Sequence, residues 1–208
     1  MTILGALLSV LFISPVQATS ISVFINELHY DNSGSDTAEG VEIAGPAGWD
    51  LDGWQLVFYN GSTQSPYKTQ NLSGFFADLF NGFGVLAFDI AGIQNGAPDG
   101  LALVTPDNLV TQFISYEGII NAVAGPADGL NSSDIGISES PDTGVGQSLY
   151  LTGSGSQFDD FEWVSGADSF GEINSGQVFQ SNVSAVPVPG SMSLMALPLA
   201  LLGWLTHE

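Results

Sequence analysis

Apolar and polar residues alternate with a period of two along many short stretches of the chain, and this period predicts β-strands rather than helices. Gly-Pro, Asp-Gly and Asn-Gly turn signals separate the stretches. The predicted strands are 21–28, 40–44, 54–59, 67–72, 84–89, 101–104, 109–116, 147–152, 161–164 and 170–176. The pattern therefore predicts an all-β chain.

The segments between these strands differ in character. Pro106-Asp107-Asn108 predicts a turn that pairs 101–104 with 109–116 as a hairpin. Residues 75–80 fit either one helical turn or a buried loop. Residues 117–145 consist mostly of Gly, Ala, Asp, Ser and Asn and predict a long ordered loop, and 180–185 predict a linker.

The aromatic residues are mostly predicted to lie in the core. Trp54 and Tyr59 fall on opposite faces of one strand, so at least one of them is expected to point outward. Outward-facing aromatic rings can stack on sugars or on apolar groups of a partner. The candidates for such contacts are Trp49, Trp54, Tyr59, Tyr67 and Trp163.

The two ends of the chain are predicted to be processing or anchoring segments around one domain, residues 19–183. Residues 1–18 contain an apolar run and end in Val16-Gln17-Ala18, which predicts a secretory signal peptide cleaved after Ala18; the alternative is a buried first strand or helix. Residues 184–208 combine a Pro-rich linker with a short apolar helix that is interrupted by Pro198. This helix is shorter than the roughly 20 residues of a membrane-spanning helix, and the alternative is an apolar tail packed on the domain.

Composition makes the domain a polyanion. The chain has 22 Asp and Glu residues against one Lys or Arg, Lys68, and its formal net charge is −21 at pH 7. Such a charge repels phosphate backbones, so no nucleic-acid partner is expected. The chain has no cysteine, which excludes disulfides and Cys-based metal sites.

The residues available for catalysis are few, and no catalytic residue is assigned. His29 is the only histidine of the domain and is predicted to be a structural hydrogen-bonding residue at a strand end. The chain contains neither a Gly-x-Ser-x-Gly elbow nor a phosphate-binding loop. The acid pairs Glu39/Glu42 and Asp159/Asp160 could serve as acid and base, but in so acidic a chain they are predicted to lie on solvated faces or turns.

One loop is a candidate metal site. Asp31, Asn32, Ser33 and Asp36 place several side-chain oxygens within six residues, and calcium prefers such oxygen ligands. The loop lacks the EF-hand spacing, and ordinary Asx-turn chemistry is the alternative. Calcium is thus the one possible cofactor, and none is required.

The domain resembles a known family. VFINELHYDN (23–32), EGVEIAGPAG (39–48) and LDGWQLVFYNG (51–61) resemble the bacterial lamin-tail domain, and later matching segments are 92–100, 112–118, 148–153 and 170–177. The resemblance implies an immunoglobulin-like antiparallel β-sandwich. Gly40 departs from the family pattern, which has a bulky aromatic residue at this position. The absence of that aromatic side chain would remove a contact worth about 1–3 kcal/mol.

The C-terminal segment resembles the PEP-CTERM sorting tails that exosortases process in Gram-negative bacteria. The matching residues are Val186, Pro187, Pro189 and Gly190, followed by the apolar run. Val188 replaces the signature glutamate, and Thr206-His207-Glu208 replaces the terminal arginine cluster. The resemblance implies an exosortase-type processing enzyme as a partner and contact with the membrane before processing.

Together these features predict an exported, non-catalytic module at the cell surface or in the extracellular matrix. Adhesion or matrix interaction is the expected role, with a glycan or surface protein as partner. The alternatives are a small secreted hydrolase, an accessory module of an extracellular nuclease or phosphatase system, and a structural surface protein without a specific ligand.

Overall fold

A computed structural model gives the structure of residues 23–181. The predicted signal peptide, the cleavage site at Ala18, the sorting motif and the apolar C-terminal helix lie outside these residues. Within them, no helix is long and apolar enough to cross a membrane.

Eleven β-strands and one short 3-10 helix, Phe158–Asp160, are the regular elements of the described residues. The strands are β1 (Phe24–His29), β2 (Gly40–Pro46), β3 (Gln55–Asn60), β4 (Ser65–Asn71), β5 (Phe83–Asp89), β6 (Asp99–Val104), β7 (Val110–Tyr116), β8 (Ser133–Asp134), β9 (Gln147–Gly155), β10 (Phe161–Ala167) and β11 (Gln177–Phe179).

The strands form two sheets that pack against each other. Sheet A has the order β10-β9-β1-β2-β5, with β11 parallel to β9, and sheet B has the order β4-β3-β6-β7-β8. One core joins them, with Ile25 and Ile43 from sheet A and Leu56, Leu101 and Ile114 from sheet B. The prediction of an all-β sandwich is confirmed. The predicted hairpin is also confirmed, because β6 and β7 pair antiparallel.

A β-bulge in β1 decides which of its side chains enter the core. The register with β2 shifts between Ile25 and Glu27, so Ile25 pairs with Ile43 and Leu28 pairs with Val41. Both Ile25 and Leu28 therefore point into the core, although strict alternation would place them on opposite faces.

The segment 117–145, which the sequence predicts as a loop, contains β8, and its first part covers the outer face of sheet B. Its residues Ile120, Ala122 and Ala127 pack against Val57 and Tyr59 of β3. Trp54 and Tyr59 do lie on opposite faces, and Tyr59 points outward from the sandwich, but this segment covers it: Trp54 is 7% exposed and Tyr59 is 0% exposed. The hydroxyl oxygen of Tyr59 accepts a hydrogen bond from the Ala127 N–H at 2.9 Å.

The structure corrects the prediction for residues 170–176 and decides between the two alternatives for residues 75–80. Residues 170–176 are not a strand but a loop that crosses the outer face of sheet A, and the strand begins at Gln177. Residues 75–80 are a loop, in which Phe76 is buried while Phe75, Leu79 and Phe80 remain exposed.

Gly40 has a local explanation in the structure. A Cβ atom at this position would lie 2.9 Å from the carbonyl oxygen of Phe88 on β5 and 3.8 Å from the ring of Phe170. The backbone of the neighbouring strand therefore closes the place where the lamin-tail pattern has an aromatic side chain.

Candidate functional site

The predicted calcium loop follows the end of β1 and is partly folded inward. Asn32 is buried, and its Oδ1 accepts the backbone N–H of Thr37 at 2.7 Å. Its amide nitrogen lies 2.8 Å from Nε2 of His29. Ser33 donates its backbone N–H to the carbonyl oxygen of Thr143 at 2.9 Å, while its side chain is on the exposed part of the loop.

Asp31 and Asp36 are the two predicted ligands that the structure brings together. Burial raises the pKa of Asp31, and the hydrogen-bonded carboxyl group of Asp36 and the charge of Glu139 add to the increase, while the amide of Asn95 opposes it. Calcium takes six to eight oxygen ligands, so backbone carbonyls and water would have to complete a site here. Among residues 23–181, no three His, Asp or Glu side chains are grouped closely enough to hold a metal ion.

His29 and Glu139 form a buried pair beside this loop. Nδ1 of His29 lies 2.7 Å from Oε1 of Glu139, and the two side chains are 2% and 1% exposed. Burial lowers the pKa of His29, but the hydrogen bond and the charge of Glu139 outweigh burial, so the net pKa is above its ordinary value of 6.5. His29 is therefore hydrogen-bonded at the end of β1.

Glu139 also holds the backbone that follows β1. Its Oε2 accepts the N–H groups of Tyr30 at 2.6 Å and Asp31 at 2.9 Å. In return, the Glu139 N–H donates to the hydroxyl oxygen of Tyr30 at 2.7 Å. The ring of Tyr30 stacks on Tyr116 at a centroid distance of 3.9 Å. Glu139 thus joins the loop 117–145 to the end of β1, and the ring of Tyr30 connects this contact to β7 of sheet B.

A second group of buried acids lies on the outer face of sheet A. Glu27 and Glu42 face each other across β1 and β2, and both are 0% exposed. Glu27 accepts hydrogen bonds from the hydroxyl of Ser148 at 2.6 Å and the N–H of Ser169 at 2.8 Å. Glu42 accepts from the N–H of Gly171 at 2.6 Å. Both acids therefore hold the loop 168–176 onto the sheet.

Amide side chains complete this network. Asn26 donates to Oε1 of Glu42 at 2.8 Å, and Gln177 donates to Oδ1 of Asn26 at 2.6 Å. Burial raises the pKa of Glu42 to about 8, with a smaller contribution from the charge of Glu27. Burial also raises the pKa of Glu27, against the hydrogen bonds that it accepts from Ser148 and Ser169.

The prediction that Glu39 and Glu42 lie on a solvated face is therefore wrong. Glu39 is 7% exposed, and its two oxygens accept the N–H groups of Gly92 at 2.6 Å and Ile93 at 2.7 Å. Asp99 acts similarly and accepts from Gly61 at 3.0 Å and Gly96 at 2.7 Å. Backbone N–H groups of loops take the place of the missing basic side chains.

The second predicted acid pair is exposed, as expected. Asp159 and Asp160 belong to the 3-10 helix, and Oδ2 of Asp160 accepts the N–H groups of Ser156 at 2.8 Å and Gln157 at 2.9 Å. Asp160 therefore caps this turn.

One open cleft on the surface of the described residues lies between two turns at one end of the sandwich, and we call it the turn cleft. Its volume is about 360 Å³. One wall comes from the connection between β2 and β3 and the other from the turn between β6 and β7. The lining residues are Trp49, Asp50, Asp52, Trp54, Thr105, Pro106, Asp107 and Leu109.

The two walls of the turn cleft are held by backbone contacts. Trp49 donates its N–H to Pro46 O at 3.1 Å, and its own carbonyl accepts from Phe76 at 3.1 Å. Gly53 has a positive φ of 83°, and a Cβ atom there would lie 3.3 Å from the Pro106 ring. The two turns therefore lie close together beside the cleft.

Sequence reasoning named Trp49 and Trp54 as possible contacts, but it did not find Asp50, Asp52 or Asp107 as their neighbours. It also missed Glu139, because this residue lies in a segment without periodicity. No signal in the sequence connects Glu139 to His29, which is 110 positions away.

Comparison with family models, with curated proteins and with solved structures found no match to this chain.

Proposed function

We propose that this chain is an exported, non-catalytic binding module at the surface or in the extracellular matrix of a Gram-negative bacterium. Its sandwich would be a member of the immunoglobulin-like lamin-tail class, and adhesion or matrix interaction would be its role. The segment resemblances and the two-sheet architecture support this proposal.

The main support for this proposal is that the buried carboxylates act as hydrogen-bond acceptors within the fold. Glu27, Glu39, Glu42, Asp99 and Glu139 are buried and accept hydrogen bonds from loop backbone or neighbouring side chains. Acids that accept loop N–H groups hold those loops in place, which supports a structural use of these carboxylates. A scaffold that carries an open surface cleft is suited to binding.

An activity screen tests the non-catalytic part of the proposal. The full chain would be purified from the envelope of a Gram-negative host and incubated with phosphodiester, phosphomonoester, carboxylic ester and glycoside substrates. No turnover above a heat-denatured sample is expected. Turnover that Glu139→Gln or Glu42→Gln abolishes without unfolding the protein would establish the hydrolase alternative instead.

Export and sorting are further parts of the proposal. The signal peptide would be removed after Ala18, and an exosortase-type enzyme would process the segment that contains Val186, Pro187, Pro189 and Gly190. The two resemblances of the terminal segments support this sequence of events. Mass spectrometry of the protein from a host with and without an exosortase gene tests it. A mature form that begins at Thr19 and loses its tail only in the first host is expected.

Calcium binding by the loop 31–36 is a separate proposal. The contact between the carboxyl groups of Asp31 and Asp36 supports it, because a divalent cation would remove the repulsion between two adjacent carboxylates. Its role would be to stabilise the exported form of the domain, and its test is given in the Discussion.

A further inference from the structure

The turn cleft is negatively charged, and none of its lining residues is Lys, Arg or His. Asp50, Asp52 and Asp107 line it. The only Lys or Arg of the described residues, Lys68, is on β4 and donates to the carbonyl oxygen of Ala91, and the buried His29 is paired with Glu139. Of the three acids, Asp50 has an internal partner, because its Oδ1 accepts the N–H of Asp52 at 2.9 Å. Asp52 and Asp107 are exposed.

The electrostatic field of the whole protein also favours a cationic ligand. The formal net charge of −21 attracts cations toward every surface and repels anions. In the cleft the attraction is strongest where carboxylates lie beside apolar walls, because apolar surface lowers the local dielectric. The ligand of this cleft should therefore be positively charged.

The aromatic side chains define the shape of the ligand. Trp49 is half-buried, so part of its indole is open to the cleft, while Trp54 is 7% exposed and forms a fixed wall. An indole face packs against the apolar C–H face of a sugar ring and attracts ammonium groups. Leu109 is 64% exposed and adds apolar surface at the rim.

We propose that the turn cleft binds a cationic amino sugar, with a sugar ring on Trp49 and its ammonium group between Asp52 and Asp107. This inference rests on the proposed function as a binding module and specifies its ligand. A neutral sugar would leave the carboxylates without a partner of opposite charge. A lysine side chain would satisfy the carboxylates but would present no ring to the indole. The amino sugar uses both features.

Binding of defined oligomers to the full chain tests this inference. A glucosamine tetramer, its N-acetylated form and tetralysine would be titrated by calorimetry at low and high salt. We expect the glucosamine tetramer to bind at least roughly tenfold more tightly than the other two, and to weaken as salt is added. Equal binding of the N-acetylated tetramer would overturn the role of the ammonium group, and equal binding of tetralysine would overturn the role of the ring.

Variants locate the site. Asp52→Asn/Asp107→Asn and Trp49→Phe should each weaken binding of the glucosamine tetramer, by roughly tenfold for the double variant. Matched controls are Asp159→Asn, an exposed acid far from the cleft in sequence, and Trp163→Phe, a half-buried indole on β10. Both controls should bind as the unmodified chain does. Thermal unfolding of each variant shows whether the fold is retained.

The failure of this inference and that of the proposed function are distinguishable. If the chain binds a different glycan or a surface protein on an array, and the cleft variants do not change that binding, the inference is overturned and the binding module remains. If the chain turns over a substrate in the activity screen, the proposed function is overturned whatever the cleft binds.

Discussion

Glu27 of β1 lies directly opposite Glu42 of β2, and neither side chain is exposed to solvent. Like charges in such cross-strand positions destabilise a sheet, and an unpaired buried carboxylate is costlier still. Two features offset this here. N–H and hydroxyl groups of the loop 168–176 and of Ser148 donate to the acids, and burial raises the pKa of Glu42 to about 8, so that Glu42 is mostly protonated at neutral pH.

We expect the stability of the protein to decrease as the pH rises from about 4.5 to about 8. In this window the folded protein retains the proton on Glu42 that the unfolded chain has released at its ordinary pKa of 4.5. The free energy of unfolding then falls by up to about 1.4 kcal/mol per pH unit. The raised pKa of His29 acts in the same direction above pH 6.5, because its stabilising charge is lost as the pH rises through the folded pKa.

Glu42→Gln should reduce this slope. The amide imitates the protonated acid, and the amides of Asn26 and Gln177 can reverse together to keep the network satisfied. The melting temperature of the variant minus that of the unmodified chain should increase from pH 5 to pH 8, as measured by circular dichroism at constant ionic strength. Asp159→Asn, which removes an exposed acid, should leave the slope unchanged. Parallel curves for Glu42→Gln and the unmodified chain would contradict the assignment.

Glu139→Gln should lower the free energy of unfolding by about 3 kcal/mol, because it removes one partner of a buried pair and places an N–H group against donors. The donors are Nδ1 of His29 and the N–H groups of Tyr30 and Asp31. Urea denaturation at pH 7 measures the change. Asp142→Asn, an exposed acid in the same loop, should change it by less than about 0.5 kcal/mol. A loss below about 1 kcal/mol for Glu139→Gln would show that the loop is held by other contacts.

Gly40→Ala should destabilise the sandwich by about 1–3 kcal/mol, because the new Cβ atom would lie 2.9 Å from the carbonyl oxygen of Phe88. The aromatic residue that the lamin-tail pattern has at this position should cost more. Gly144→Ala is the control, since its Cβ atom would make only ordinary contact with Gln147 at 3.7 Å or more. Melting temperatures measure both variants. Equal melting temperatures for Gly40→Ala and Gly144→Ala would contradict this prediction and would show that β5 can shift without a loss of stability.

Calcium should raise the melting temperature of the full chain at concentrations of about 1 mM, which are typical for extracellular calcium sites. Asp31→Asn/Asp36→Asn should remove this effect, because it removes both adjacent carboxylates. Asp159→Asn should keep it, and magnesium should produce a smaller shift. Calorimetry without heat, together with an unchanged melting temperature, would refute the calcium proposal.

Much of the secondary structure could be predicted because it depends on local signals. Alternation located nine of the strands to within a few residues, and the Pro106-Asp107-Asn108 turn identified the hairpin of β6 and β7. The failure at 170–176 has a physical reason. This segment contains apolar Phe170 and Ile173, but Gly171 donates its N–H to Glu42, and Asn174 donates to the backbone carbonyls of Asn26 on β1 and Leu151 on β9. The segment is therefore held across two strands by scattered contacts instead of pairing along one of them.

The candidate site was less predictable. Trp49 and Trp54 could be named from the sequence, but their acidic neighbours in the turn cleft come from two connections about 50 residues apart. The metal candidates Asp31 and Asp36 do meet, while Asn32 turns inward to Thr37 and His29. Which oxygen faces solvent depends on the path of the loop, and composition does not specify that path.

The amino-acid sequence by itself determined that the domain is all-β, that the chain is a polyanion with a single Lys or Arg, and that cysteine chemistry is excluded. Periodicity and composition are properties of neighbouring residues, so they can be read along the chain. Only the tertiary structure decided that the acids Glu27, Glu39, Glu42 and Glu139 are buried. The burial of an acid depends on a loop that is distant in sequence and supplies its N–H groups, and this long-range pairing leaves no local pattern.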